Sequence, residues 1–262
     1  MPIHNYHRPA DWDSALDVLR RAQPLLLGPR VPIPPYGAAE ALADLSRLEL
    51  AYLKADTHIH IGALTALQTL VEAPDVGGLL NEAARLTAHY GLRNVATLGG
   101  LLLAKEGPVE ILLALLALDA AVIVRGSLTH ESPITNYSLS AGEMIVEVKF
   151  ALPATSAKAA IERVTRTPRD EGIVTAVALI EVANGVCSKA RLALAGASPR
   201  PMRATSAEKL LEGQPLTSEQ IQKAEQAVMN EAKPLGDYRG SADYRKAMAG
   251  VLTKRALEKA AQ

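Results

Sequence analysis

The sequence predicts an α+β chain: a mixed α/β first part, then a small antiparallel sheet with helices packed on it. Three observations predict this. Two strand-like runs, Val174 to Val182 and Ser188 to Leu194, flank Asn184-Gly185, a strong short-range hairpin signal. Helical patterns then dominate, over Ser206 to Leu211, Ser218 to Ala232 and Ser241 to Ala260. Upstream, short apolar or alternating runs are interleaved with helical ones, the pattern of a mixed layer.

From the N-terminus, Asp11 or Asp13 can cap a helix whose Trp12, Leu16 and Leu19 fall at helical spacing. Leu25 to Leu27 reads as a brief buried strand. It ends at a segment with four prolines between Pro29 and Pro35, which excludes helix and disfavours a central strand. Thr57 to Gly62 is a period-two strand with Ile59 and Ile61 on one face and His58 and His60 on the other. A solvated face is expected at the two histidines rather than a metal site. Thr65 can cap a helix through Val71. A longer helix is predicted from about Val76 to Tyr90, with Gly91 as its left-handed C-cap.

The chain is organised around Arg93 to Ala120. Thr97 leads into Gly99 and Gly100, and an apolar helix-like run follows from Ile111 to Leu118. Paired glycines let backbone approach a ligand closely, and amides that point out of such a turn can cradle a phosphate. Beyond it, Ala120 to Val124 reads as a buried strand. Met144, Val146, Val148 and Phe150 alternate along another, which stops at Pro153. Ala154 to Ala160 is the expected boundary between domains. Near the C-terminus, Ser241 is expected to cap the last helix with Tyr238 and Tyr244 packed on it. Tyr and Arg at 238, 239, 244 and 245 also suit a partner surface. The basic residues of that helix read as a solvated face.

Composition narrows the function. Of 262 residues, 48% are hydrophobic and only 3% aromatic, so the core is built from Leu, Ala, Val and Ile. Lys plus Arg (28) equals Asp plus Glu (28), a balance that argues against a nucleic-acid or anionic-membrane partner. A single cysteine, Cys187, forms no internal disulfide and cannot ligate an iron–sulfur cluster. The first residues lack the charged and apolar regions of a secretory leader, and the apolar stretch from Ile111 to Val124 is too short to span a bilayer. A cytoplasmic protein is expected. No Ser–His–Asp order or acid–base pair stands out.

The order of several short pieces is more specific than any one of them. They are Tyr6-His7-Arg8-Pro9, Leu45-Ser46-Arg47-Leu48, Ile61-Gly62-Ala63-Leu64-Thr65, Leu92 to Gly100 and Leu115 to Ala120. The second domain adds Ala195-Gly196-Ala197, Pro199 to Arg203 and Asp237 to Arg245. Together they resemble the flavoprotein (middle) subunit of the molybdenum hydroxylases, the carbon monoxide dehydrogenase and xanthine dehydrogenase family. The resemblance implies a vanillyl-alcohol-oxidase-like (PCMH-type) FAD-binding domain over residues 1–155, with subdomains of about 1–54 and 55–155. A C-terminal α/β domain like that of the carbon monoxide dehydrogenase flavoprotein would occupy 156–262. It also implies an FAD cofactor, and partners in a molybdenum-cofactor large subunit and an iron–sulfur small subunit. The chain would then be an electron-transfer component of an oxidoreductase, with no catalytic site complete in itself and no metal of its own.

By the same resemblance, two glycine loops hold the FAD diphosphate. The second is Thr97, Leu98, Gly99 and Gly100, followed by Leu101 where asparagine is usual, with Glu110 at the position of a family aspartate. The first departs from its Ala-Gly-Gly-Ser/Thr pattern and reads Leu27-Gly28-Pro29-Arg30. Proline removes one amide donor, and Arg30 can compensate by meeting phosphate directly. Two readings stay open: a flavoprotein with an altered first loop, and a flavin-less scaffold that keeps the fold and its partner contacts. A free-standing protein with an unrelated small ligand is a third.

Overall fold

The computed structural model describes residues 5–22, 25–27, 41–104, 108–167 and 170–262. In chain order its elements begin with β1 (Asn5–His7), α1 (Trp12–Ala22), β2 (Leu25–Leu27), β3 (Ala41–Asp44), β4 (Leu53–Ala55) and β5 (His58–Gly62). Five helices follow: α2 (Leu67–Glu72), α3 (Gly78–Thr87), α4 (Tyr90–Arg93), α5 (Leu98–Leu103) and α6 (Glu110–Ala117). Next come β6 (Ala121–Arg125), β7 (Thr129–Pro133), β8 (Met144–Ala151), β9 (Ala157–Val164), β10 (Val174–Ala183), β11 (Val186–Ala195) and β12 (Met202–Arg203). The chain closes with α7 (Thr205–Leu211), α8 (Ser218–Glu231) and α9 (Ala242–Ala260). The elements gather into two compact units, one of residues 1–75, 89–107 and 120–151, the other of 76–88, 108–119 and 152–262.

The first unit holds two sheets. In the smaller one, β1, β3 and β2 lie side by side, both pairs parallel. The larger has the order β4-β5-β8-β6-β7 with every pair antiparallel. Alternation puts Ile59, Ile61, Val122, Val124, Val148 and Phe150 inside, each 2% exposed or less. Trp12, Leu16 and Leu19 of α1 pack with Leu45, Leu48, Met144 and Val146, where a register shift between Ile123 and Val124 bends the β6–β8 pairing.

Two local expectations change in this unit. Thr65 does not cap α2; Ala66 stands at that position, and the Thr65 hydroxyl instead donates to the Tyr52 carbonyl at 2.8 Å. The predicted Val76–Tyr90 helix is two helices. Thr87 ends α3, and His89 caps α4 by accepting the Leu92 amide on its ring nitrogen at 3.3 Å. Gly91 lies inside α4 rather than after a helix, and the positive φ of this region (81°) belongs to Gly77.

The second unit is built on an antiparallel meander, β9-β10-β11-β12. Asn184 and Gly185 make its hairpin turn with φ of 52° and 77°, the two left-handed positions that a two-residue type I′ turn demands. β10 is buried from Val174 to Ile180 without alternation, so both its faces are covered. Ala176, Ala178 and Ile180 pack with Leu211 of α7, Ile221, Ala224 and Val228 of α8, and Leu252, Ala256 and Leu257 of α9. α3 and α6, which come from far upstream in sequence, pack against strands of this same sheet. All eight residues of α6 but Leu112 are buried, as expected of a helix surrounded on every side.

The last residues of the segment Ala154 to Ala160, expected as a domain boundary, form the start of β9. Its alanines and lysine have low strand propensity, and pairing with the full length of β10 overrides that preference. Ser241 caps α9 as expected, accepting the Tyr244 amide at 3.2 Å. Tyr238, however, is 85% exposed rather than packed on the helix, and Arg245 is buried rather than solvated. Among the described residues no helix is long and apolar enough to cross a membrane.

Candidate functional site

Thr97 is extended (φ −111°, ψ 157°) and opens α5, with its hydroxyl accepting the Gly100 amide at 3.2 Å. The two amides before it are committed to backbone. Leu98 N–H donates to the Thr65 carbonyl at 3.0 Å and Gly99 N–H to the Ala63 carbonyl at 2.8 Å. A Cβ at Gly99 would meet the Ala63 Cβ and carbonyl oxygen at 2.9 Å, so glycine is required for that approach. The matched pieces Ile61 to Thr65 and Leu92 to Gly100 therefore interlock. Of the three amides, only that of Gly100 has a side-chain rotor as partner, and a charged acceptor forms the stronger bond and can displace it. Leu101, which follows Gly100, is buried core.

Glu110 is the first residue of α6 and is 1% exposed. Its Oε1 accepts from Arg163 of β9 at 3.0 Å, while its Oε2 is buried with no hydrogen-bond partner among the described residues. Burial pushes its carboxyl above the usual carboxylate range, and the nearby Arg163 guanidinium opposes that shift. Glu110 is thus more than a first-turn acid on a helix dipole: it is half of an ion pair inside the second unit. At the other end of α6, Asp119 receives Arg203 at 2.6 Å, Arg191 at 2.7 Å and Lys189 at 3.6 Å. Sequence reading singled out neither Arg163 nor the Arg191–Arg203 pair. Only Arg203 lay within a matched piece, and no spacing rule links residues so far apart.

Other candidates resolve differently. His60 Nδ1 lies 2.9 Å from Glu147 Oε1, and Tyr52 donates to Glu147 Oε2 at 2.7 Å. Burial, then the Glu147 carboxylate, drives the Tyr52 phenol upward. Among the described residues no group of three or more His, Cys, Asp or Glu is placed to hold a metal. Cys187 is buried, and burial raises its thiol, the setting of an inert core residue. Gly28 and Arg30 lie outside the described residues, and so does the proline-rich segment that follows them.

A flavin dinucleotide offers hydroxyls, a diphosphate and ring edges. The unpartnered Glu110 Oε2 fits a hydroxyl donor, because a buried carboxylate oxygen without one is costly. It does not fit a phosphate, whose charge it would repel. The Gly100 amide fits an anionic acceptor. Each unit by itself therefore offers one feature that fits part of such a group: the turn from Thr97 to Gly100 in the first and Glu110 in the second.

Comparison with known proteins places these features in a lineage. Residues 2–153 match the family model of the FAD binding domain in molybdopterin dehydrogenase, and residues 159–260 match that of the CO dehydrogenase flavoprotein C-terminal domain. The alpha subunit of the 6-hydroxypseudooxynicotine dehydrogenase complex of Paenarthrobacter nicotinovorans is 32% identical, over 84% of this chain and 79% of its own. The carbon monoxide dehydrogenase medium chain of Hydrogenophaga pseudoflava is 28% identical, over 99% of this chain and 97% of its own. A solved structure of carbon monoxide dehydrogenase from Hydrogenophaga pseudoflava superimposes with a TM-score of 0.91 at 30% identity, covering 99% of this chain and 97% of the matched one.

Proposed function

The chain belongs to the family that joins the FAD-binding domain of molybdopterin dehydrogenases to the CO dehydrogenase flavoprotein C-terminal domain, and from that premise we propose that it is the FAD-carrying medium subunit of a molybdenum hydroxylase complex. The observation that carries the proposal is the tandem match of both family models over nearly the whole chain, supported by the end-to-end likeness to the carbon monoxide dehydrogenase medium chain. Bound FAD would supply electron exchange between the iron–sulfur clusters of a small subunit and an external acceptor. The molybdenum cofactor, and with it the substrate, would belong to a large subunit. Cys187, buried and alone, is in keeping with a chain whose clusters reside in a partner. We place the complex in the cytoplasm.

In this reading the chain positions the cofactor and does no acid–base chemistry of its own. Gly100 offers its amide and Thr97 its hydroxyl toward the diphosphate, and Gly99 lets the turn seat on Ala63. Leu98 contributes backbone shape. Gly28 and Arg30 complete the diphosphate grip from the first loop, with the Arg30 charge replacing the donor lost at Pro29. Glu110 accepts from a cofactor hydroxyl.

A second reading, the flavin-less scaffold, is favoured by one observation. The Leu98 and Gly99 amides are engaged within the chain, and Pro29 has none to offer. Isolation of the native complex under mild conditions separates the two. Flavin, molybdenum and iron together with this chain support the first reading. Molybdenum and iron without flavin support the second, and neither partner nor flavin contradicts both.

A further inference from the structure

We propose that Arg163 is a positioning residue for FAD: by engaging one carboxylate oxygen of Glu110, it presents the other as a hydroxyl acceptor to the cofactor. The proposal rests on the reading that Glu110 meets FAD, and it adds a residue from the other family domain.

The geometry is asymmetric in a way that calls for an outside donor. Glu110 Oε1 is 3.0 Å from Arg163 Nη1, whereas Oε2 is buried and unpartnered. Folded proteins seldom leave such an atom unsatisfied, because its lost hydration is not replaced. A glutamate arm turns about three bonds, so a fixed partner is needed to hold one orientation. A planar guanidinium does this better than an ammonium. Arg163 is itself well seated, 16% exposed and paired across the strands with Thr175, whose hydroxyl is also buried without a partner. The 159–260 family domain thereby sets the acid contributed by the 2–153 domain, entirely within one compact unit.

The test is titration of the purified full-length chain with FAD, followed by flavin fluorescence, with a melting curve recorded for every variant. Arg163→Met is expected to weaken FAD binding about 10- to 100-fold, the scale for removing one partner of a buried charged pair. Arg163→Lys should recover most of the loss. In a Glu110→Gln background, Arg163→Met should add nothing further, because its effect passes through Glu110. Thr175→Val is the packing control and should bind as the parent does. If Arg163→Met does not fold, Arg163→Gln provides the same comparison. Parent-like binding by the folded Arg163 variants overturns the proposal, as does an equal loss in Thr175→Val or an undiminished loss in the Glu110→Gln background. A parent chain that binds no FAD contradicts the proposed function itself, an outcome visible before any variant is made.

Discussion

Arg203 and Asp119 lie 2.6 Å apart, and the same guanidinium nitrogen of Arg203 donates to the carbonyl of Leu116 at 2.9 Å. One side chain of the C-terminal sheet thus holds both a carbonyl at the end of α6, which also accepts the Asp119 amide at 3.2 Å, and the acid that follows it. Asp119 sits at φ 51°, a left-handed conformation that asparagine tolerates well. Asp119→Asn should therefore keep the backbone while removing the charge that Arg191 and Arg203 share. Because Asp119 is partly exposed, a loss of about 1–2 kcal/mol is expected rather than the larger cost of a fully buried pair. A lowered melting temperature checks it. An unchanged one would mean that packing alone holds α6.

Gly99→Ala probes the turn. The added Cβ would meet the Ala63 carbonyl oxygen and Cβ at 2.9 Å, and backbone cannot move aside as a flexible side chain can. Overpacking of this kind costs about 1–3 kcal/mol. The hydrogen bond that the Gly99 N–H donates to the Ala63 carbonyl should also lengthen. Chemical denaturation reads the loss, and a stable Gly99→Ala protein would show that this interlock is slack.

Acid sensitivity should arise from paired carboxylates. The Arg245 guanidinium, 2.7 Å away, holds Asp237 well below the usual carboxylate range. At Asp119, burial alone would raise the carboxyl, but Arg191 and Arg203 outweigh it and lower it. A carboxyl lowered by folding contributes stability that is full above the unfolded value, about 3.9 for aspartate, and is lost as pH falls through the lower folded value. Stability should thus decline below about pH 4, and Asp237→Asn should flatten that limb. An unaltered limb in the variant would remove Asp237 from the account. Glu110, raised by burial, acts in the opposite sense and gains stability as it takes up a proton.

The hairpin at Asn184-Gly185 and the helices α8 and α9 were legible because local chemistry decides them: two left-handed turn positions, and serine or threonine caps. The joint between α3 and α4 was not, because a histidine ring at position 89 supplied a cap that the helical period alone does not reveal. β9 escaped for a different reason, since pairing with β10 outweighs its alanine-rich composition. At the site, Thr97, Gly99 and Gly100 could be read as a turn. Their hydrogen bonds to the segment at 63–65 could not, nor could the Glu110–Arg163 pair, 53 positions apart. Such links are set by which strands become neighbours.

The most direct measurement is the amount of flavin released from the purified, undenatured chain after equilibration with FAD and removal of the excess. The account predicts close to one FAD per chain, with the absorption bands of a bound flavin before release. A colourless chain that retains none, while still assembling with the proposed molybdenum and iron–sulfur subunits, would contradict it.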